Sequence, residues 1–306
     1  MGAPCSEALS PALQPDPAAG LPHFPDPLGA DPQLAAFLQQ ASDQLCRWWS
    51  TAAQRPPLPL LSVLPQAAPL RDGLSASELL DDLQLVMDGA FNPVHPGSLA
   101  HLDPPPLTAS VVADLVCAGL NNNVLAEELS PSLSRLERSL CAWMAHQLGL
   151  GPEAGGVAAS GGSLSNLMAL VVARHQAGLQ HDQRGIVLCS ADAHVSIGKA
   201  LSVVATAGTT VRGAIDPLEA IAALCRDKAI WLHVDGAIGA VFALTPLHRP
   251  LLTGLELADS ITINPQKLLG ITKTSSLLLL RQPLLLSRCF GTGLPYMEPS
   301  WADAHG

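Results

Sequence analysis

The chain has 306 residues, 48% of them apolar and 14% charged, which suffices for one large globular domain with an appendage and excludes a disordered protein. Sixteen Lys and Arg against 26 Asp and Glu give a formal net charge of -10, a balance that repels a nucleic-acid backbone or an anionic membrane surface. Apolar runs such as Leu277 to Leu280 fall far short of the ~20 residues of a membrane span, and the N-terminus lacks a basic region followed by an apolar one, so a soluble cytoplasmic protein is expected.

In chain order, residues 1–32 are proline-rich with few large apolar side chains and read as an extended leader. Residues 33–106 read as an N-terminal helical segment. Within it, Gln33 to Ala53 carries a helical apolar stripe that stops before Pro56-Pro57. Ser75-x-x-Glu78 is a capping box ahead of Leu79, Leu80, Leu83 and Val86. From 107 onward the pattern predicts a helix near 108–121 and another opening at Ser130-Pro131, with Ser as cap and Pro in the first turn. Short β-prone runs then alternate with helical ones. The strands are expected at 156–160, 185–189, 201–205, 229–234, 260–263 and 275–280, with helices at 163–177, 194–200 and 216–226. This alternation predicts an α/β domain over 107–306, a mainly parallel sheet with helices on both faces and ligands beyond the carboxyl ends of its strands.

Several polar motifs fall at those ends. Ser160-Gly161-Gly162-Ser163 precedes a helix and suits either an ordinary tight turn or a phosphate held on free N–H groups. Trp231-Leu232-His233-Val234-Asp235 ends a strand on an acid, which serves as a helix cap or as a partner that keeps a cofactor ring nitrogen protonated. Ile261 to Lys267 ends another apolar strand on a lysine, whose desolvated amine would lose its proton easily and form an imine with a carbonyl. The seven cysteines are scattered, without a C-x-x-C pair, and the ten histidines include no H-E-x-x-H, so buried reduced thiols and no metal are expected.

The motifs S-G-G-S-x-S-N, A-D-A-H, T-A-G-T-T-V-x-G-A-x-D-P, W-L-H-V-D-G-A and A-D-S-x-T-I-N-P-Q-K, in that order, resemble the group II amino-acid decarboxylases that use pyridoxal 5'-phosphate on the fold type I large domain. The resemblance runs from about His95 to the end of the chain. It implies decarboxylation of an L-amino acid to the amine and CO2, in a homodimer. It also implies that Lys267 carries the cofactor as a Schiff base, that Asp235 partners the pyridine nitrogen, and that Ala237 packs against the ring. Gly162, Ser163 and Asn264 match positions around the phosphate, and Thr210 matches a cofactor-contacting threonine. His194 matches a histidine that stacks on the ring; residue type alone also suits a structural helix-start histidine. Tyr296, the only tyrosine, matches the loop tyrosine that returns a proton to Cα, with a tyrosine packed under the loop as the alternative.

Two departures from the pattern stand out. Between His194 and Thr206 relatives carry a further strand and helix, whereas here Val195 to Lys199 leads almost directly into Leu201 to Val204, short for a parallel crossover. The sequence also ends at Ala302 to Gly306, where relatives continue into a small C-terminal domain. These departures set two alternatives beside decarboxylation: a remnant that binds the cofactor without turnover, and another fold type I reaction such as transamination or aldol cleavage.

Overall fold

The computed structural model describes residues 24–60, 63–68, 73–99, 102–124, 126–179, 186–194 and 202–291. The chain divides into two compact units, Met1–His101 and Leu102–Gly306.

The first unit holds two helices. Helix α1 (Pro32–Ser50) opens on Asp31, whose carboxylate accepts from the Leu34 N–H, with Pro32 in its first turn. Its apolar stripe leaves only Trp48 buried, with the Arg55 guanidinium 4.5 Å from the indole centroid. Helix α2 (Ala76–Asp88) starts at Ser75 with both bonds of the expected capping box in place. The Gln44 amide joins the two helices by donating to the Leu80 carbonyl and to Gln84 Oε1, each at 2.9 Å.

The second unit is the α/β domain. It comprises α3 (Thr108–Leu120), α4 (Pro131–Gln147), β1 (Gly155–Ala159), α5 (Gly162–Gln176), β2 (Val187–Cys189), β3 (Ser202–Thr206), α6 (Leu218–Asp227), β4 (Leu232–Asp235), β5 (Ser260–Ile263), α7 (Pro265–Leu268), β6 (Ser276–Leu280) and α8 (Leu284–Phe290). The six strands lie in the order β1-β6-β5-β4-β3-β2. Strands β2 to β5 pair in parallel, and β6 runs antiparallel to both of its neighbours, so β1 points the same way as the parallel set. Ser130 precedes α4 as expected but does not cap it: its hydroxyl makes no bond to the helix and is buried without a hydrogen-bond partner.

Alternation along the strands divides the sheet into two unlike faces. Leu232, Val234, Ile261, Ile263, Leu277 and Leu279 project to one side, where they pack with Met144 and Leu148 of α4 and Leu218 and Ala222 of α6 in the main apolar core. On the other side Leu278 and Leu280 meet Ala169 and Val172 of α5 and Leu285 of α8. Between them that second face carries His233, Asp235, Ser260 and Thr262, all buried. Burial of polar side chains costs free energy unless they bond one another, so this face is built for something other than adhesion.

Residues 190–201 lie between β2 and β3 in the chain, and β2 is one of the two edge strands of the described sheet, with Ile186 and Leu188 exposed. The helix expected at 194–200 lies outside the described residues except for His194. Among the described residues no helix is long and apolar enough to cross a membrane, and no group of His, Cys, Asp and Glu could hold a metal ion.

Candidate active site

Because β3, β4 and β5 are parallel, their carboxyl ends lie along one edge, and the chain leaves them at Thr206, Asp235 and Asn264. The start of α5 meets the same edge. Together they line a cavity of about 180 Å3. Its walls include Gly162, Ser163, His194, Thr210, Asp235, Ala237, Asn264 and Lys267, so every predicted site residue among the described ones reaches one place. Tyr296 lies outside the described residues. A larger cavity of about 900 Å3 lies at the opposite end of the strands, beside Cys225, Arg226, Trp231 and Arg281, and contains none of the predicted site residues. Chemistry, not size, selects the smaller one.

Each side chain arrives by a local rule. Asn264 occupies the position before α7, where an amide commonly caps the helix, but here it makes no cap bond and instead lies against Gly162. A Cβ on Gly162 would sit 2.8 Å from Asn264 Nδ2, so only glycine leaves this approach open. Lys267, one turn further on, is half-buried. Desolvation lowers its ammonium pKa from the ordinary lysine value, against the opposing pull of Asp235 and Asp103. Asp235 is held from two sides: Oδ1 accepts from the Ala237 N–H at 3.1 Å, and Oδ2 from Asn166 Nδ2 at 2.9 Å.

The Thr206 to Asp216 loop closes on itself. Asp216 N–H donates to the Thr206 carbonyl at 2.9 Å while Asp216 Oδ2 accepts from the Thr206 N–H at 2.8 Å. Thr209 Oγ1 accepts from Ala214 N–H at 3.0 Å, which leaves Thr210 exposed at the cavity rim. Behind this loop Gly239 donates its N–H to the Ala207 carbonyl at 2.9 Å, and a Cβ there would fall 2.2 Å from that oxygen. Gly239→Ala is therefore expected to cost about 1–3 kcal/mol. Thermal unfolding checks it, at about 2–4 °C per kcal/mol for a domain of this size.

The residues present suit pyridoxal 5'-phosphate on three counts. The first N–H groups of α5 have no partner within the helix and point toward where a phosphate is favoured. Asn264 Oδ1 and Thr206 Oγ1, both at the cavity, are buried without a hydrogen-bond partner. A lysine amine and a fixed carboxylate, the two groups a pyridine aldehyde needs at opposite sides of its ring, share the cavity. Sequence reasoning gave no role to Asn166, Asp192, Thr206, Gly208, Thr209 or Ile238, which also line it. Helical spacing from Ser163 to Asn166 was the available signal for the first of these.

The sequence model described as pyridoxal-dependent decarboxylase conserved domain matches residues 57–202 and 192–304. The aromatic-L-amino-acid decarboxylase of Bacillus atrophaeus is 31% identical over 254 residues, covering 69% of this chain and 53% of that protein. The cysteine sulfinic acid decarboxylase of Homo sapiens is 30% identical over 278 residues, covering 74% and 55%. The chain thus spans about half the length of the curated relatives it matches. Among solved structures, mouse CSAD in its apo form superposes with a TM-score of 0.78 at 26% identity, over 87% of this chain and 68% of that one.

Proposed function

Since the chain belongs to the pyridoxal-dependent decarboxylase family, we propose that the protein decarboxylates an L-amino acid to the corresponding amine and CO2. The observation that carries this is the meeting of Lys267, Asp235, Asn264 and the start of α5 around one cavity at the carboxyl edge of the sheet. When bound, pyridoxal 5'-phosphate supplies a ring into which the electrons of the broken Cα–carboxylate bond are delocalised. The protein's own residues do the rest. Lys267 offers an amine that burial makes easier to deprotonate, which suits it to hold the cofactor's aldehyde carbon. The Asp235 carboxylate would hold the proton of the ring nitrogen. Gly162, Ser163 and Asn264 would hold the phosphate at the helix start. Ala237 would pack against the ring, His194 would stack on it, Thr210 would contact the cofactor from the rim, and Tyr296 would supply the proton for Cα.

We assign the protein to the cytoplasm as a homodimer. The six described cysteines are all free, which suits a reducing compartment, although three of them are exposed where buried thiols were expected. Helix α3 exposes Val112, Leu115, Val116 and Leu120, and α4 exposes Leu136, Leu140 and Trp143, an apolar surface that a second copy would cover. The reaction is tested by incubating the protein and pyridoxal phosphate with acidic, basic and aromatic L-amino acids. Amine and CO2 in equal amounts are expected, and a keto acid as the product would overturn the assignment.

A further inference from the structure

The polar face of the sheet holds one continuous chain of hydrogen bonds ending at Asp235. Trp231 Nε1 bonds Ser260 Oγ at 3.0 Å, and Ser260 Oγ bonds His233 Nδ1 at 2.9 Å. His233 Nε2 bonds Asn166 Oδ1 at 3.1 Å, and Asn166 Nδ2 donates to Asp235 Oδ2 at 2.9 Å. His233 and Ser260 are fully buried, and Asn166 is 1% exposed.

The direction of this chain follows from its two ends. An indole N–H only donates, so Ser260 accepts from Trp231 and its own hydroxyl hydrogen is available for His233 Nδ1. At the other end an ionised carboxylate only accepts, so Asn166 turns its NH2 to Asp235 and its carbonyl oxygen to the imidazole. That oxygen also only accepts, so His233 Nε2 carries the hydrogen and Nδ1 is bare. All four bonds then run head to tail toward Asp235, an arrangement in which each bond polarises the next.

We propose that His233, fixed in its Nε2–H form, is a positioning residue that acts through Asn166 to hold the Asp235 carboxylate as an acceptor for the cofactor's ring nitrogen. The role rests on the assignment of Asp235 made above. Around the imidazole, β5 presents Ser260 and Thr262, α5 presents Asn166, β3 places Val204 alongside, and β4 itself carries Asp235, the only charged group among them. Burial independently pushes the His233 pKa down to about 4, against the pull of Asp235, which agrees with a neutral ring throughout the physiological range.

The first test needs no cofactor. Nitrogen–proton correlation spectra of the chain labelled on its histidine rings, assigned by difference with His233→Gln, are expected to show Nε2 protonated and Nδ1 bare, unchanged between about pH 5.5 and 8. An Nδ1–H form, or titration with a midpoint near about 6.5, overturns the proposal. The second test follows the absorbance of bound pyridoxal phosphate against pH. In Asn166→Leu and His233→Leu the spectral transition is expected to shift by about one pH unit from the wild type, tenfold in the proton equilibrium. His233→Gln keeps an acceptor for Ser260 and a donor for Asn166, and is expected to restore the wild-type profile. A borohydride-sensitive band that is lost in Lys267→Ala but has one pH profile in all the others overturns this role and leaves the site assignment standing. No band in the wild type overturns both. Should His233→Leu not fold, the wild-type spectra and Asn166→Leu decide.

Discussion

Lys267→Ala is expected to abolish covalent capture of pyridoxal phosphate and to lower turnover by about 10³-fold or more, the scale set by losing the nucleophile of a covalent cycle. Borohydride reduction followed by intact mass measurement reads the capture directly: the wild type gains the cofactor's mass and the variant does not. The fold should survive, because the charged lysine is opposed by burial in this position and its removal leaves the Asn264 to Gly162 approach intact. The wild type should show a specific pH dependence. Only the neutral amine attacks a carbonyl, and the Lys267 pKa is lowered, so the capture rate rises with pH and levels off below the ordinary lysine value of 10.5. The same shift acts on stability. Between the folded and unfolded values the unfolded chain binds more protons, so the Lys267 contribution falls as pH drops through that window, and Lys267→Ala removes this dependence. Full capture by the variant would remove Lys267 from the site.

Asp235→Asn is expected to separate cofactor attachment from catalysis. Lys267 is unchanged in this variant, so the borohydride-trapped mass remains, while turnover falls by about 10²- to 10⁴-fold, the contribution of a positioned proton partner. Stability also falls, for a local reason. Both carboxylate oxygens of Asp235 accept N–H groups, one from Ala237 and one from Asn166. An amide there turns its NH2 toward one of these donors and leaves a buried hydrogen without an acceptor, at about 1–3 kcal/mol. Melting curves measure this loss, and wild-type turnover in Asp235→Asn would exclude Asp235 as the ring partner.

The α/β class was legible because strand and helix carry different apolar periods. β5 coincides with its expected span, and β3, β4 and β6 lie within a few residues of theirs. The order of strands was not legible, because nothing in Gly155 to Ala159 announces an antiparallel partner at Ser276 to Leu280. Lys267, Asp235 and the glycines at 161 and 162 could be picked out as residue types at strand and helix ends. The bonds that fix Asp235 were hidden. Asn166 lies just ahead of the apolar run Leu167 to Val172 in α5 and His233 between Leu232 and Val234 in β4, and only the packing of α5 on the polar face of the sheet makes them partners. His233 is two residues before Asp235, the spacing that puts both on one face, a signal that alternation alone provides. The expected cap at Ser130 failed because propensity names the position, whereas the hydroxyl is buried away from the helix N–H groups.

The reversed strand β6 has an effect on how this chain is made. Among the described residues, strand β1 pairs only with β6, Gly155 meeting Leu280. On the ribosome, the chain must therefore emerge as far as Leu280 before β1 has an edge to join. Until then the Met144 and Leu148 side of α4, which packs on β1 and β6, has no finished sheet to cover it. Contacts so distant in sequence slow folding and prolong the exposure of sticky surface. The yield of this protein in a cell should accordingly depend on chaperones that act after synthesis of β6, more than on those that meet the chain early.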